Sequence, residues 1–313
     1  MRVSVEEAAR LLHNCQPVAV ATETVWGLAA RACDPIGVEK IFELKGRPLS
    51  NPLIVHICDQ DMLAEYVSFF PEETRSLIER FWPGPLTMVL PVFEQKIPSI
   101  VRAGRSSVAF RFPINEKTCA LIEKVGPVVA PSANRSGSPS ATCAEHVEND
   151  FGADLPILYS EHSCERGIES TIIIWKEGRW YLGRLGAVNI VDIEQMLGYS
   201  LSSSASNRPE CPGQHFRHYA PQARLELCYQ GWSAGLDRYD AVLGFEDRSY
   251  PGAPKVVTMG CSGSFESVEK SLYAALRELD FLGAQMVFVD CAIPSTLSWL
   301  PVWDRLKRAA QEG

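Results

Sequence analysis

The chain has 313 residues, of which 46% are hydrophobic and 22% are charged, and its formal net charge at pH 7 is −8. This length allows a sizeable core and predicts two domains. The excess of acidic residues argues against a protein that coats nucleic acid, so any anion-binding site must be concentrated in one place.

The N-terminus and the cysteines predict a cytoplasmic protein without a membrane segment. Met1 is followed by Arg2 and the helical pattern VEEAARLLH, with neither a secretory apolar region nor an apolar run long enough to span a bilayer. The ten cysteines are scattered, and none forms a Cys-x-x-Cys pair. We therefore expect reduced thiols rather than a zinc site or a disulfide framework, and no metal held by the protein alone.

The first predicted elements are a helix and a strand that ends in polar residues. Val5–His13 is predicted to be an amphipathic helix, because Ser4 can cap it and Glu7 completes a capping box. The apolar run Val18–Ala21 predicts a buried strand, and Thr22-Glu23-Thr24 follows it directly. Polar residues at the end of a strand commonly face a ligand.

The next helix carries two cations towards its end. Val38, Ile41, Phe42 and Lys45 fall on one helical face, so Lys45 and Arg47 are expected to emerge together just before the predicted strand Leu53–Ile57. Cations at a helix C-terminus are also favoured by the helix dipole, so this pair alone does not establish a site.

The middle of the chain predicts a mixed sheet, because several adjacent strands lack an intervening helix. In Ser107–Phe112, the alternation places Ser107, Ala109 and Arg111 on one face of the strand and the apolar residues on the other. The other predicted strands are Leu86–Leu90, Pro127–Ala130, Ile157–Tyr159, Ser170–Trp175 and Arg179–Arg184, and the predicted helices are Gln60–Phe69, Pro71–Trp82, Asn115–Val125 and Thr142–Asn149.

A polar break, LSSSASNR, follows these strands and predicts the domain boundary. We predict a catalytic domain over residues 1–200, a linker or lid over 201–221 and a small domain over 222–313. In the last segment, four short apolar runs and one long amphipathic helix predict an α/β domain with a mainly parallel sheet. The runs are Leu225–Tyr229, Ala241–Phe245, Lys255–Met259 and Met286–Asp290.

The standard motifs of phosphate binding and of serine hydrolases are absent, since the chain has no P-loop, no G-x-G-x-x-G opening a helix and no G-x-S-x-G. Polar groups are instead dispersed over strand ends. Arginines, a lysine and hydroxyls suit a ligand with phosphates and a carboxylate. Taken singly, each of them is also explained as a helix cap, a turn residue or, for His56, a core histidine.

Six segments taken together resemble one family. In this order they are ATETVWGLAA, FELKGRPLSNPLIVHI, FWPGPLTMVL, VAFRFP, APSANRSGSPSAT and GIESTI, and they are similar to the YrdC-like threonylcarbamoyl-AMP synthase family. The later CPGQHFRHYAP and small α/β domain resemble its two-domain form. The resemblance implies an α/β fold: a twisted, mixed, open sheet with a concave groove, plus a smaller Rossmann-like α/β C-terminal domain.

The resemblance also implies an activity. A nucleotidyltransferase of this family joins L-threonine, bicarbonate and ATP into threonylcarbamoyl-adenylate and pyrophosphate, with Mg²⁺ accompanying ATP. The product supplies the threonylcarbamoyl group of a tRNA adenosine, through a transfer-partner enzyme or on tRNA itself. Two alternatives remain open at this point: an RNA-binding module, which the charge of −8 disfavours, and a carbamoyltransferase of related fold.

The resemblance implies a role for each residue that matches a family motif. Lys45, Arg47, Ser132 and Asn134 are expected to act in catalysis. The residues expected at threonine are Thr24, His56, Arg111, Ala130 and Ser170, and those expected at ATP are Arg47, Asn51, Ser107, Ser132, Ser140, Arg184 and Tyr219.

This chain departs from the family pattern at Ala21, Trp26 and Leu185, where the family usually has Pro, Tyr and Pro. The segment Cys211–Pro221 is too rich in aromatic and basic side chains for a passive tether. We predict that Arg217, His218 and Tyr219 close over the groove as a lid. The alternative is that Phe216 and Tyr219 merely anchor the chain to a domain surface.

Overall fold

The computed structural model describes residues 1–160, 164–203, 211–212, 218–230 and 235–310. They form two compact units. The first unit contains the described residues within 1–136, 141–165 and 169–215, and the second contains those within 137–140, 166–168 and 216–313. The predicted domain boundaries at residues 200 and 221 stay a prediction.

The first unit is a sheet covered by helices on both faces. Its strands are β1 (Arg2–Val3), β2 (Val18–Val20), β3 (Gly27–Arg31), β4 (Ile54–His56), β5 (Leu86–Pro91), β6 (Ser107–Arg111), β7 (Val128–Val129), β8 (Ile157–Leu158), β9 (Thr171–Lys176) and β10 (Arg179–Arg184). Its helices are α1 (Val5–His13), α2 (Pro35–Lys45), α3 (Gln60–Tyr66), α4 (Thr74–Phe81), α5 (Ser99–Arg102), α6 (Glu116–Val125), α7 (Ala144–Phe151) and α8 (Ile190–Leu197).

The sheet is mixed, as the sequence predicts. Its strand order is β1-β8-β2-β3-β7-β4-β6-β5-β9-β10. The pairs β4–β6 and β5–β9 are parallel, whereas β2–β3, β3–β7, β4–β7, β5–β6 and β9–β10 are antiparallel. The concave groove remains a prediction, and the strand β3 was not predicted.

Alternate residues of each strand enter different apolar clusters, which is what the pleat of a strand requires. In β6, Phe110 packs into the main core together with Ile41 of α2, whereas Ala109 belongs to a small cluster with Ile54 and Ile172. A third cluster joins Leu12 of α1 to α6 and to β2. The face that carries Ala109 and Ile54 is therefore the face that also carries Arg111 and His56.

Local sequence signals explain most helix ends. Ser4 accepts a hydrogen bond from the Glu7 backbone N–H at 3.2 Å, as its capping role predicts. Helix α2 ends at Gly46, whose φ of 61° is the left-handed conformation that glycine adopts without strain. The predicted helix Gln60–Phe69 stops at Tyr66 because Val67 instead forms a bridge with Val92.

The second unit is a small parallel sheet with two helices. Its strands are β11 (Arg224–Cys228), β12 (Ala241–Gly244), β13 (Val256–Thr258) and β14 (Met286–Asp290), and its helices are α9 (Phe265–Phe281) and α10 (Leu300–Ala310). All pairs in the order β11-β14-β12-β13 are parallel, which confirms the predicted parallel sheet. None of the ten cysteines of the chain is in a disulfide.

Candidate active site

Two strands set the geometry of the candidate site. β4 and β6 are parallel, and their register pairs His56 with Arg111. Both side chains therefore project from the same face at the carboxyl ends of neighbouring strands. We call this end of the two strands the arginine edge, and the end that carries Ile54 and Ser107 the serine edge.

Arg111 is the centre of the arginine edge. Its side chain is 4% exposed, and its Nη1 donates to the Thr24 hydroxyl at 2.8 Å. Its Nη2 lies 2.7 Å from Oε1 of Glu23, whose side chain is 5% exposed, as an ion pair whose angles fall outside hydrogen-bond geometry. The Nε atom makes no hydrogen bond to the described residues. The Nε–Nη2 edge of the guanidinium is thus the side on which a carboxylate can accept two hydrogen bonds.

The residues after β2 hold this arginine through a chain of hydroxyls. The Thr22 hydroxyl donates to the Val25 carbonyl at 2.7 Å, and it lies 2.9 Å from the Thr24 hydroxyl. Because the Thr22 proton is used by Val25, Thr24 donates to Thr22 and accepts from Arg111. The Thr118 hydroxyl donates to the Ala21 carbonyl at 2.6 Å and fixes the same loop from α6.

His56 is a neutral imidazole in this environment. Burial, and secondarily the Arg111 cation, lower the pKa of His56 from 6.5 to about 3. Its Nδ1 makes no hydrogen bond to the described residues. A neutral buried imidazole can donate or accept a hydrogen bond without adding charge, which suits the recognition of a hydroxyl group.

Ser170 lies at the same end of the sheet, just before β9. Its hydroxyl and the buried Thr87 hydroxyl of β5 are 2.7 Å apart. Arg184 donates from Nε and Nη2 to the Ser170 carbonyl at 3.2 and 3.0 Å, and from Nη2 to the Ser170 hydroxyl at 3.3 Å. The structure therefore joins Arg184, which we expected at ATP, to a residue that we expected at threonine.

The serine edge carries residues expected at ATP. Ser107 begins β6, four residues before Arg111, which corresponds to about 13 Å along a strand. The loop before β4 brings Arg47 and Asn51 to this edge, and Asn51 is buried. Arg47 is half-buried, and it donates from Nε to the Asn51 carbonyl at 3.2 Å and from Nη2 to the Pro52 carbonyl at 2.7 Å.

Lys45 does not leave the core beside Arg47, so that expectation was wrong. It is 3% exposed, and its Nζ donates to the carbonyls of Ser132 and Asn134 at 2.5 and 2.6 Å. A lysine buried this deeply must have its donors satisfied, and the loop after β7 supplies the acceptors. Lys45 therefore holds the loop Ser132–Asn134 in place, and its side chain is not open to solvent.

The remaining residues predicted for the site are Ala130, Ser140 and Tyr219. Ala130 donates from its backbone N–H to the Ile54 carbonyl at 3.3 Å, two residues along β4 from His56. Ser140 and Tyr219 belong to the second unit, where Ser140 is buried. Tyr219 there stacks on Tyr273 with ring centroids 5.3 Å apart, and the Arg305 guanidinium lies 4.9 Å from its centroid.

These contacts make Tyr219 an anchor of the second unit, which is the alternative to the lid interpretation. Arg217, on which the lid prediction also depends, and Phe216 lie outside the described residues. The lid therefore stays a prediction, as does the role of Tyr219 at ATP.

Sequence reasoning did not assign Glu23 or Thr87 to the site. Thr87 interrupts the apolar run LTMVL, and a hydroxyl predicted to be buried in a strand needs a partner. That rule would have selected Thr87. Glu23 stands between two threonines at a strand end, but the sequence alone does not show which cation it faces.

Among the described residues, no group of three His, Cys, Asp or Glu side chains lies close enough together to hold a metal ion. In the same part of the chain, no helix is both long and apolar enough to cross a membrane.

Comparisons with known proteins cover almost the whole chain. A family model described as "Telomere recombination" (Sua5_yciO_yrdC) matches residues 10–186, and a model described as "Threonylcarbamoyl-AMP synthase, C-terminal domain" matches residues 188–311. The Threonylcarbamoyl-AMP synthase of Bacillus subtilis is 35% identical, with 98% of this chain and 92% of the relative covered. The Pyrococcus abyssi protein of the same name is also 35% identical, with 97% and 93% covered.

Solved structures agree in fold. A crystal structure of P. abyssi Sua5 complexed with L-threonine has a TM-score of 0.88 and 33% identity, and the match covers 99% of this chain and 96% of that one. E. coli YciO has a TM-score of 0.53 at 17% identity over 61% of this chain and 95% of its own, which is a likeness of fold alone.

Proposed function

The chain belongs to the threonylcarbamoyl-AMP synthase family of transferases, and on that premise we propose that it joins L-threonine, bicarbonate and ATP into threonylcarbamoyl-adenylate, with release of pyrophosphate. The observation that carries this proposal is the buried Arg111, whose Nε and Nη2 atoms make no hydrogen bond to the described residues, although Nη2 is ion-paired with Glu23 at 2.7 Å. The family relative from P. abyssi was crystallised with L-threonine.

In this proposal the arginine edge binds threonine. The carboxylate accepts from the Nε–Nη2 edge of Arg111, and the Thr24 hydroxyl lies beside the same guanidinium. The neutral His56 and the Ser170 hydroxyl offer hydrogen bonds to the amino acid side chain without adding charge. Ala130 would contribute its backbone at the other side of β4.

ATP would extend from the serine edge towards the bound threonine. Ser107 begins β6, Arg47 and Asn51 precede β4, and the Ser132–Asn134 loop follows β7, where Ser132 forms a bridge with Gly27. Lys45 holds this loop through two backbone carbonyls, so its proposed part in catalysis is to position Ser132 and Asn134. Arg184 contacts the Ser170 backbone, and it would couple the ATP site to the threonine site.

The chemistry needs positioning more than a protein nucleophile. The threonine amine adds to the carbon of CO2 to give a carbamate with loss of a proton, or it reacts with bicarbonate to give the same carbamate with loss of water. A carbamate oxygen then attacks the α-phosphorus of ATP, and the bond to pyrophosphate breaks. The protein must hold two anions in line and stabilise the charge on phosphorus, which fits a site made of arginines, hydroxyls and amides.

Mg²⁺ is proposed to arrive with ATP. Magnesium in nucleotide sites commonly keeps several waters and binds substrate phosphates with few protein ligands. It would neutralise phosphate charge during the displacement.

The test of the proposed function is pyrophosphate release from ATP, measured with threonine, bicarbonate and Mg²⁺ each omitted in turn. We expect release to require all three, and to yield an AMP-containing product that carries the label of ¹⁴C-bicarbonate. Equal release without threonine would contradict the proposal. We further propose that the product is passed in the cytoplasm to a partner enzyme that modifies a tRNA adenosine.

A further inference from the structure

Glu23 is a buried carboxylate to which the proposed reaction assigns no role. Its side chain is 5% exposed, and its Oε2 accepts from the Ile114 backbone N–H at 3.1 Å. Its Oε1 lies 2.7 Å from Arg111 Nη2 and makes no hydrogen bond to the described residues. Glu23 is therefore held in place by the residues that follow β6, with one oxygen directed at the cation that β6 carries.

The charges in direct contact with each other at Arg111 balance, and a second cation, Arg184, lies at Ser170. Arg111 contributes one positive charge and Glu23 one negative charge, and His56 is neutral because burial lowers its pKa to about 3. Thr22, Thr24, Thr87 and Ser170 contribute only hydroxyls. In a site with so little access to solvent, any net charge that a ligand adds is poorly compensated.

A buried, balanced Glu23–Arg111 pair discriminates between ligands by their charge. A zwitterionic amino acid adds no net charge, and its ammonium group balances its carboxylate next to the Glu23–Arg111 pair. A simple carboxylate of the same shape adds a second negative charge close to Glu23, with no ammonium group to offset it beside Arg111. Like charges brought together in a low-dielectric site are strongly disfavoured.

We propose that Glu23 is a specificity-determining residue, which balances the charge of Arg111 in the threonine site and so favours amino acid zwitterions over carboxylates that lack the amine. This inference rests on the proposed function, because it assumes that threonine binds at Arg111. It assigns to Glu23 the choice between classes of ligand, whereas Arg111 supplies the attraction.

The experiment compares the binding of L-threonine with that of 2,3-dihydroxybutanoate, in which a hydroxyl replaces the amine, by calorimetric titration of the full chain at pH 7.5. The wild-type protein is expected to prefer threonine by about tenfold or more, the ratio that corresponds to one charge-assisted contact. Glu23→Gln keeps the size of the side chain and an acceptor for Ile114, and it is expected to lose this preference. Glu23→Asp keeps the charge and is expected to retain it.

Glu94→Gln is the matched control. Glu94 also lies 2.7 Å from an arginine, Arg102, but its side chain is 54% exposed, so neutralising it is expected to leave the preference unchanged. Equal affinity of the wild-type protein for both ligands overturns the proposal, and this arm does not depend on whether a variant folds. The proposal is also overturned if folded Glu23→Gln keeps the wild-type preference for threonine, or if Glu23→Asp loses that preference. Absence of threonine binding to the wild-type protein would instead count against the proposed function.

Discussion

The two edges of β4 and β6 hold their polar groups in different ways. At the arginine edge, Arg111 is held by the side chains of Thr24 and Glu23, and all three are buried. At the serine edge, Lys45 and Arg47 are held by backbone carbonyls of loops. The proposed threonine site is therefore built by strands and by side chains that contact each other, whereas the proposed ATP site depends on how two loops are folded.

The largest expected effect is a difference in stability and in lost ligand between Arg111→Ala and Arg47→Ala. Arg111→Ala leaves the Glu23 carboxylate buried without a counter-charge, which should lower the free energy of unfolding by about 3–5 kcal/mol. Arg47→Ala removes hydrogen bonds to two carbonyls at a half-buried position, which should cost about 1–2 kcal/mol. Urea denaturation measures both values, and calorimetric titration should show Arg111→Ala losing threonine and Arg47→Ala losing ATP.

The double variant Glu23→Gln/Arg111→Ala serves as the control for this comparison. It removes both charges, so it should recover much of the stability lost in Arg111→Ala. Equal stability of the two single arginine variants, or loss of the same ligand by both, would remove the distinction between the edges.

The next effect concerns the loop at the serine edge. Lys45→Met removes the donors to the Ser132 and Asn134 carbonyls, and leaving one buried and one partly buried acceptor unsatisfied should cost about 2–3 kcal/mol. Because Lys45 acts through this loop, the KM for ATP should rise more than the KM for threonine. Steady-state pyrophosphate release measures both constants.

Lys40→Met makes the same substitution on the same helix without removing the donor to the Ser132 and Asn134 carbonyls. We expect it to change neither constant. If Lys45→Met raised the KM for threonine most, Lys45 would belong to the arginine edge in function.

The smallest effect tests the burial of His56 through pH. The pKa of His56 is lowered to about 3 in the folded protein and is 6.5 as an unperturbed group, so between these values the unfolded chain binds a proton that the folded protein does not. Stability is therefore retained above pH 6.5 and lost as the pH falls towards 3. Between pH 7 and pH 5 this group should cost about 2 kcal/mol.

His56→Gln should remove that part of the loss, whereas the same change at the exposed His13 should not. The measurement is the free energy of unfolding in urea at pH 7 and pH 5. Identical acid sensitivity of wild type and His56→Gln would show that His56 is not buried as a neutral group.

Sequence periodicity predicted much of the fold correctly. The face shared by Ala109 and Arg111 followed from alternation in β6, and the face shared by Val38 and Lys45 followed from helical spacing in α2. The mixed first sheet and the parallel second sheet followed from the order of strands and helices. The short strand β3 was missed because its five residues, GLAAR, show neither clear alternation nor β-branched side chains.

The sequence by itself determined the fold class, the family motifs and the strand faces, because each of these is encoded within one element or one local segment. Only the tertiary structure decided which polar groups meet. Thr24 and Arg111 are 87 positions apart in the chain, and Thr87 and Ser170 are 83 apart. Such contacts depend on the register between strands and on the burial of whole loops. The hydrogen bonds from Lys45 to the Ser132–Asn134 loop and the pairing of Glu23 with Arg111 could therefore be seen only in the folded molecule.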